Sequence, residues 1–168
     1  LAGTGENNTG TGVTAWSNPG NVTASDATDA ICIAVGSSNW LTARNFGFAI
    51  PAGASIGGIT VRAFMSEHSS GTRNVNARLQ NDSGILFGST YVNNVNGTTK
   101  TVFTYGGTAN LWGATLTPDI LNHANFGVRL QYNSSGEARV DYVTLAVEYT
   151  VGGATLDTSA TAITSARG

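Results

Sequence analysis

A period of two governs the polarity of this chain. In residues 73–80, Val75, Ala77 and Leu79 alternate with Asn74, Asn76, Arg78 and Gln80. Further on, Phe126, Val128, Leu130 and Tyr132 alternate with Gly127, Arg129 and Gln131, and Thr101, Phe103 and Tyr105 make another row. Successive side chains of an extended strand point to opposite faces, so each stretch reads as a half-buried β-strand. Residues 39–66 carry two such rows, Phe46, Phe48 and Ile50 before the turn-rich PAGASIGG, and Ile59, Val61, Ala63 and Met65 after it. They predict two antiparallel strands joined as a hairpin.

Ile31, Ile33 and Val35 form a further row predicted to point inward. Residues 81–84 (NDSG) and 133–137 (NSSGE) read as turns, and Asn96-Gly97 predicts a hairpin between residues 85–92 and 101–105. In the last apolar stretch Val143, Leu145, Val147, Tyr149 and Val151 share one face while Val140 and Tyr142 fall on the other, which predicts a bulge near Asp141. Helical character is confined to residues 118–124, with Thr117 as cap and Pro118 in the first turn. The expected fold is all-β: a single antiparallel two-sheet sandwich over residues 13–151, with one short helix. A jelly roll is the commonest way to connect eight strands, and Greek-key variants stay open. Residues 1–12 and 152–168 are small and polar and are predicted to be extended N- and C-terminal arms that lie on neighbouring subunits.

Composition narrows the function. A chain of 168 residues, 40% hydrophobic, builds one core. Eight basic residues, seven of them Arg and the other Lys100, against ten acidic ones leave no stripe to track a phosphate backbone, so nucleic acid is not an expected partner. One cysteine, Cys32, forms no intrachain disulfide and is expected to be a buried, inert thiol. No apolar run approaches the roughly 20 residues of a membrane helix, and no membrane partner is expected. The chain begins at Leu1 rather than Met, so an upstream piece is expected.

Few residues suggest chemistry. Glu67-His68 with a distant His123, or Glu67 with Asp82, are the best acid/base candidates, and neither amounts to a catalytic arrangement. Asp26, Asp29, Asp141 and Glu148 are hard oxygen donors of the kind calcium takes, without a D-x-D-x-D-G loop to collect them. The glycine-rich stretches lack a phosphate-cradling pattern. The expectation is a non-enzymatic protein with no cofactor and no catalytic or metal residue. Tyr105 and Tyr132 sit in inward rows and belong to the core. Trp40 and Trp112 are candidate glycan-stacking rings, while Phe64, outward on its strand, and Leu156 and Ile163, the large apolar residues of the C-terminal arm, are candidate subunit contacts.

The motifs WSNPGNV, FGFAIPAGASIGGITV, LWG with PDILN, NFGV and ARVDYVTLAVEY together resemble β-sandwich modules of structural proteins of tailed bacteriophages and related prophage or bacterial surface proteins, over residues 14–150. The resemblance implies a virion component. The expected role is a homo-oligomeric capsid decoration or cement protein on a major capsid or other virion protein. A carbohydrate-binding module of a phage fibre or bacterial surface protein, with a host glycan as ligand, is the alternative.

Overall fold

The computed structural model describes residues 1–68 and 73–152. Its elements in chain order are β1 (Thr4–Asn8), a 3-10 turn (Pro19–Val22), β2 (Ala30–Ser37), β3 (Trp40–Arg44), β4 (Ser55–Glu67), β5 (Arg73–Gln80), β6 (Leu86–Val95), β7 (Thr101–Gly107), α1 (Pro118–Asn122) and β8 (Gly127–Thr150). All strand pairs are antiparallel. One sheet runs β1-β3-β8-β5-β6 and the other β2-β8-β4-β7, which makes the expected all-β sandwich. The 24 residues of β8 serve both sheets. Its first part, to Tyr132, pairs with β3 and β5, and the part from Asn133 onward pairs with β2 and β4.

The inward rows meet between the sheets. Val75, Ala77 and Leu79 of β5, Val128, Leu130 and Tyr132 of β8, and Ile59, Val61, Ala63 and Met65 of β4 are all buried, with Tyr105 of β7 among them. The bulge also lies where the polarity pattern requires it. Phe64 pairs with Tyr142 and Met65 with Val140, leaving Asp141 unopposed, so Val140 and Val143 both face the core. Helix α1 starts at Pro118, and the Thr117 hydroxyl accepts the Ile120 N–H at 3.3 Å.

Connectivity departs from expectation in four places. Residues 45–54 form no strand: Asn45 and Gly47 take left-handed φ of 60° and 69°, which breaks a ladder, although Ile50 is buried and the Asn122 amide bonds both its N–H and its C=O. The strand before β4 is β3, and the two lie in different sheets, so residues 39–66 are a crossover rather than a hairpin. The Asn96-Gly97 connection likewise passes between sheets, because β6 pairs with β5 while β7 pairs with β4. The NSSGE stretch continues β8 against β2, with Gly136 at φ 133° where a side chain would be strained.

Two further corrections concern faces and ends. In β2 the inward residues are Ala30, Cys32 and Ala34, whereas Ile33 is 68% and Val35 83% exposed. Trp16, Glu67 and Tyr132 are large side chains buried in the same core, and small inward residues suit a core already occupied by bulky ones. The N-terminal residues are not an arm reaching outward. β1 pairs with β3 of its own chain from Thr4↔Arg44 to Asn8↔Trp40, and Ala2 donates to Val143. The expected C-terminal arm, with Leu156 and Ile163, lies outside the described residues.

Candidate functional site

The outer face of the β1-β3-β8-β5-β6 sheet is polar across its width. Because Leu41 and Ala43 point inward, β3 turns Trp40, Thr42 and Arg44 outward, and by the same alternation β8 contributes Arg129 and Gln131 and β5 contributes Asn76, Arg78 and Gln80. Register sets these side chains side by side. Glu6 lies opposite Thr42, Thr42 opposite Arg129, and Arg129 opposite Arg78; one pair along, Asn8 lies opposite Trp40 and Gln131 opposite Asn76, with Val92 of β6 beyond. Five strands at about 4.8 Å spacing give a strip roughly 19 Å wide.

Hydrogen bonds hold the strip in place. The Glu6 carboxylate takes a two-pronged contact from Arg44, at 2.6 Å to Nη2 and 3.1 Å to Nε. That hydrogen bond, with the charges of Arg44 and Arg129, holds the Glu6 carboxyl below its ordinary range against the opposing effect of burial. Arg129 donates from Nε to Gln80 Oε1 at 2.6 Å and from Nη2 to the Gly84 carbonyl at 2.7 Å, and with its amide turned the Asn8 oxygen also lies 3.0 Å from this guanidinium. Arg78 Nε donates to the Gly88 carbonyl at 3.0 Å. Gln131 donates to the Ser38 carbonyl at 2.9 Å, and the Trp40 backbone N–H to the Thr11 hydroxyl at 3.0 Å, so residues 11–12 border one end of the strip and the 81–85 turn the other. Among the described residues nothing here closes into a pocket. The face is open and rich in fixed donors and acceptors.

The residues singled out from sequence fare unequally. Trp40 lies half-buried on this strip. Trp112 does not offer a stacking ring: it is fully buried, donates its indole N–H to the Ile59 carbonyl at 2.9 Å and packs edge-on against Tyr91 at 4.6 Å. Phe64 is on the opposite sheet's outer face, half-buried and stacked on Tyr142 with ring centroids 5.2 Å apart. Arg78, Arg129, Gln131 and Asn76 were legible only as the polar sides of single rows; what the sequence does not display is that their strands are adjacent.

The other candidates do not converge. Glu67 is fully buried, accepts the Tyr132 hydroxyl at 3.3 Å and lies 3.8 Å from Arg73 Nε, while Asp82 sits beyond the far end of β5, roughly 23 Å along that strand. His68 contacts Ser66, and His123 caps α1 and accepts the Asn125 N–H. Asp29 and Asp141 meet around Lys100, at 2.5 and 3.5 Å, whereas Asp26 closes a turn onto Thr28 and Glu148 is exposed opposite Gly58. Among the described residues no three His, Cys, Asp or Glu side chains group as metal ligands.

No protein-family model matches the chain, and no curated protein does. Among solved structures it is similar to the CBM22-1 and GH10 modules of the Clostridium thermocellum N-terminal endo-1,4-beta-D-xylanase 10B in complex with xylohexaose, at 15% identity and a TM-score of 0.48, covering 84% of this chain and 25% of that one. The chain thus spans about a quarter of that structure. It is also similar to a CBM4 structure, at 16% identity and a TM-score of 0.47 over 79% of this chain and 91% of that one. A third likeness is to the enzymatically active domain of tailspike protein 4 of bacteriophage CBA120, at 10% identity and a TM-score of 0.44, covering 86% of this chain and 19% of that one. The likeness to all three is one of strand architecture alone.

Proposed function

We propose that this chain is a non-enzymatic carbohydrate-binding module, and that its binding face is the outer strip of the β1-β3-β8-β5-β6 sheet. The observation that carries the reading is the meeting of Trp40 with Gln131, Asn76, Arg78 and Arg129 on one face of one sheet. A sugar ring has an apolar face of C–H groups that packs on an indole and a rim of hydroxyls that both donate and accept. Gln and Asn side chains offer both roles and Arg offers a fork of donors. Hydrogen bonds within the strip fix these groups before a ligand arrives, which lowers the entropy lost on binding. An open strip suits an extended polymer laid across strands better than a small molecule, which binds in a cavity. The resemblance to phage and bacterial surface modules supports display on a virion appendage or cell surface.

The capsid decoration role drew on two terminal arms. The first is a strand of the chain's own sheet and the second lies outside the described residues, so that role has no geometric support from the ends. Affinity electrophoresis of the chain through gels containing soluble polysaccharides tests the glycan reading. Retardation by at least one polysaccharide, lost in Trp40→Ala, is the expected outcome; mobility unaffected by every polysaccharide, or equal retardation of Trp40→Ala, overturns it.

A further inference from the structure

We infer that the glycan recognised by this strip is an acidic one, carrying carboxylate or sulfate groups that sit between Arg78 and Arg129. The inference rests on the carbohydrate-binding reading above and adds the chemistry of the ligand. Arg78 and Arg129 stand directly opposite each other on adjacent antiparallel strands, pointing to the same face. At such positions Cβ atoms are about 4.5–5.5 Å apart, and like charges there destabilise the sheet. A fold that keeps two cations in this register with no carboxylate bonded to either leaves a place for one.

The protein supplies that charge only in part, through Glu6 acting on Arg129 without a hydrogen bond to it. The nearest carboxylate on the face, Glu6, is engaged by Arg44 in a two-pronged ion pair. Among the described residues the hydrogen-bond partners of Arg129 are the Gln80 amide, the Gly84 carbonyl and, with its amide turned, the Asn8 oxygen, all neutral, and Arg78 donates from Nε to the Gly88 carbonyl; neither is bonded to a carboxylate. Glu6, Arg44, Arg78 and Arg129 together carry two positive charges in excess, on a chain whose formal net charge is -2. Burial presses the Arg129 guanidinium below its ordinary value, with Glu6 acting against it, so an anion that restores the balance gains from both cations. Guanidinium groups bind carboxylate and sulfate oxygens through paired N–H donors, a geometry that an ammonium or an amide does not reproduce.

The test is calorimetric titration of the full chain with polygalacturonate, dextran sulfate and neutral xylan at low and high NaCl, repeated on Arg78→Gln and on Arg62→Gln, an exposed arginine on the other sheet that makes the same charge change. One or both polyanions are expected to bind at least ten-fold more tightly than xylan and to weaken steeply with salt, with polygalacturonate alone identifying carboxylate and dextran sulfate alone identifying sulfate. Arg78→Gln is expected to lose about ten-fold for the polyanion, and Arg62→Gln nothing. Equal or tighter binding of xylan that Trp40→Ala abolishes overturns this inference and leaves the carbohydrate-binding reading standing. Polyanion binding weakened equally by Arg62→Gln and Arg78→Gln overturns it as diffuse charge attraction. No binding by any of the three overturns this inference, while the carbohydrate-binding reading is decided by the polysaccharide gels above. The wild-type comparison of charged and neutral polymers decides the matter even if Arg78→Gln does not fold.

Discussion

Arg78 and Arg129 face each other across the β5–β8 ladder with no carboxylate between them among the described residues, two like charges held in register on one side of a sheet. Like charges at directly opposed positions of paired strands weaken a ladder. Arg78→Gln is expected to raise the stability of the unliganded protein by about 0.2–1 kcal/mol, the scale of a cross-strand pair. Urea denaturation at low ionic strength measures the gain, and it shrinks in molar salt as the charges are screened. A loss of stability instead means that the Arg78 contact to Gly88 outweighs the repulsion.

Two tryptophans that look equivalent in the sequence are expected to separate cleanly on substitution. Trp112 is fully buried and bonded to Ile59, so Trp112→Ala removes about 3–5 kcal/mol of stability, as large aromatic truncations in cores do. Trp40 is half-buried at the edge of the strip, and Trp40→Ala costs less than about 1 kcal/mol while removing glycan binding. Paired urea and binding curves on the two variants check this.

Alkaline pH is expected to destabilise the fold. Burial raises the Tyr105 phenol from its ordinary 10.0, and burial with the Glu67 charge raises that of Tyr132. For Lys100, burial pulls down, but the hydrogen bond to Asp29 and the charges of Asp29 and Asp141 outweigh it, and the net direction is up from 10.5. Above about pH 10 the unfolded chain releases these protons before the folded one does, so stability falls as pH rises through that range. On the acid side Glu6, held low chiefly by its hydrogen bond to Arg44, contributes stability present above its ordinary 4.5 and lost as pH falls through its depressed value. Urea midpoints are expected to be flat between about pH 7 and 8, to begin falling at about 9 as the Cys32 thiol ionises in the unfolded chain, and to drop further above about 10; a midpoint unchanged above about 10 contradicts the buried phenols.

Cys32 offers an independent probe of the core. Burial pushes its thiol up to about 11 from 9.0, a two-unit rise that leaves roughly 100-fold less thiolate than a free cysteine at neutral pH, besides shielding it from reagent. A thiol-specific reagent is expected to leave the folded chain unlabelled and to label it fully in urea. Rapid labelling of the native chain contradicts the packing of β2 against β8.

The strands were legible where one row of side chains was enough to define them. Val75 to Leu79, Phe126 to Tyr132 and the bulge at Asp141 follow from alternation alone, and the Thr117 cap follows from the Thr-Pro pair that opens α1. Pairing was not legible, because alternation says which way a residue points and not which strand lies beside it; β3 and β4, or β6 and β7, read as hairpins although they belong to different sheets. Hydrophobicity also misleads where the core is crowded. Ile33 and Val35 yield the inward side to Cys32 and Ala34 beside Tyr132 and Glu67. The candidate site was hidden for the first reason: Arg78, Arg129, Gln131 and Trp40 each looked like an ordinary outward residue, and become a strip only once β3, β8 and β5 are neighbours.

Mapping of backbone amide shifts by NMR during titration with a soluble acidic oligosaccharide tests the central claim most directly, since it reports where a ligand sits as well as whether it binds. Perturbations confined to Trp40, Asn76, Arg78, Arg129 and Gln131 are predicted, with Phe64, Tyr142 and the rest of the opposite sheet unmoved. Shifts concentrated on Phe64 and Tyr142, or no saturable shift with acidic or neutral oligosaccharides, would contradict it.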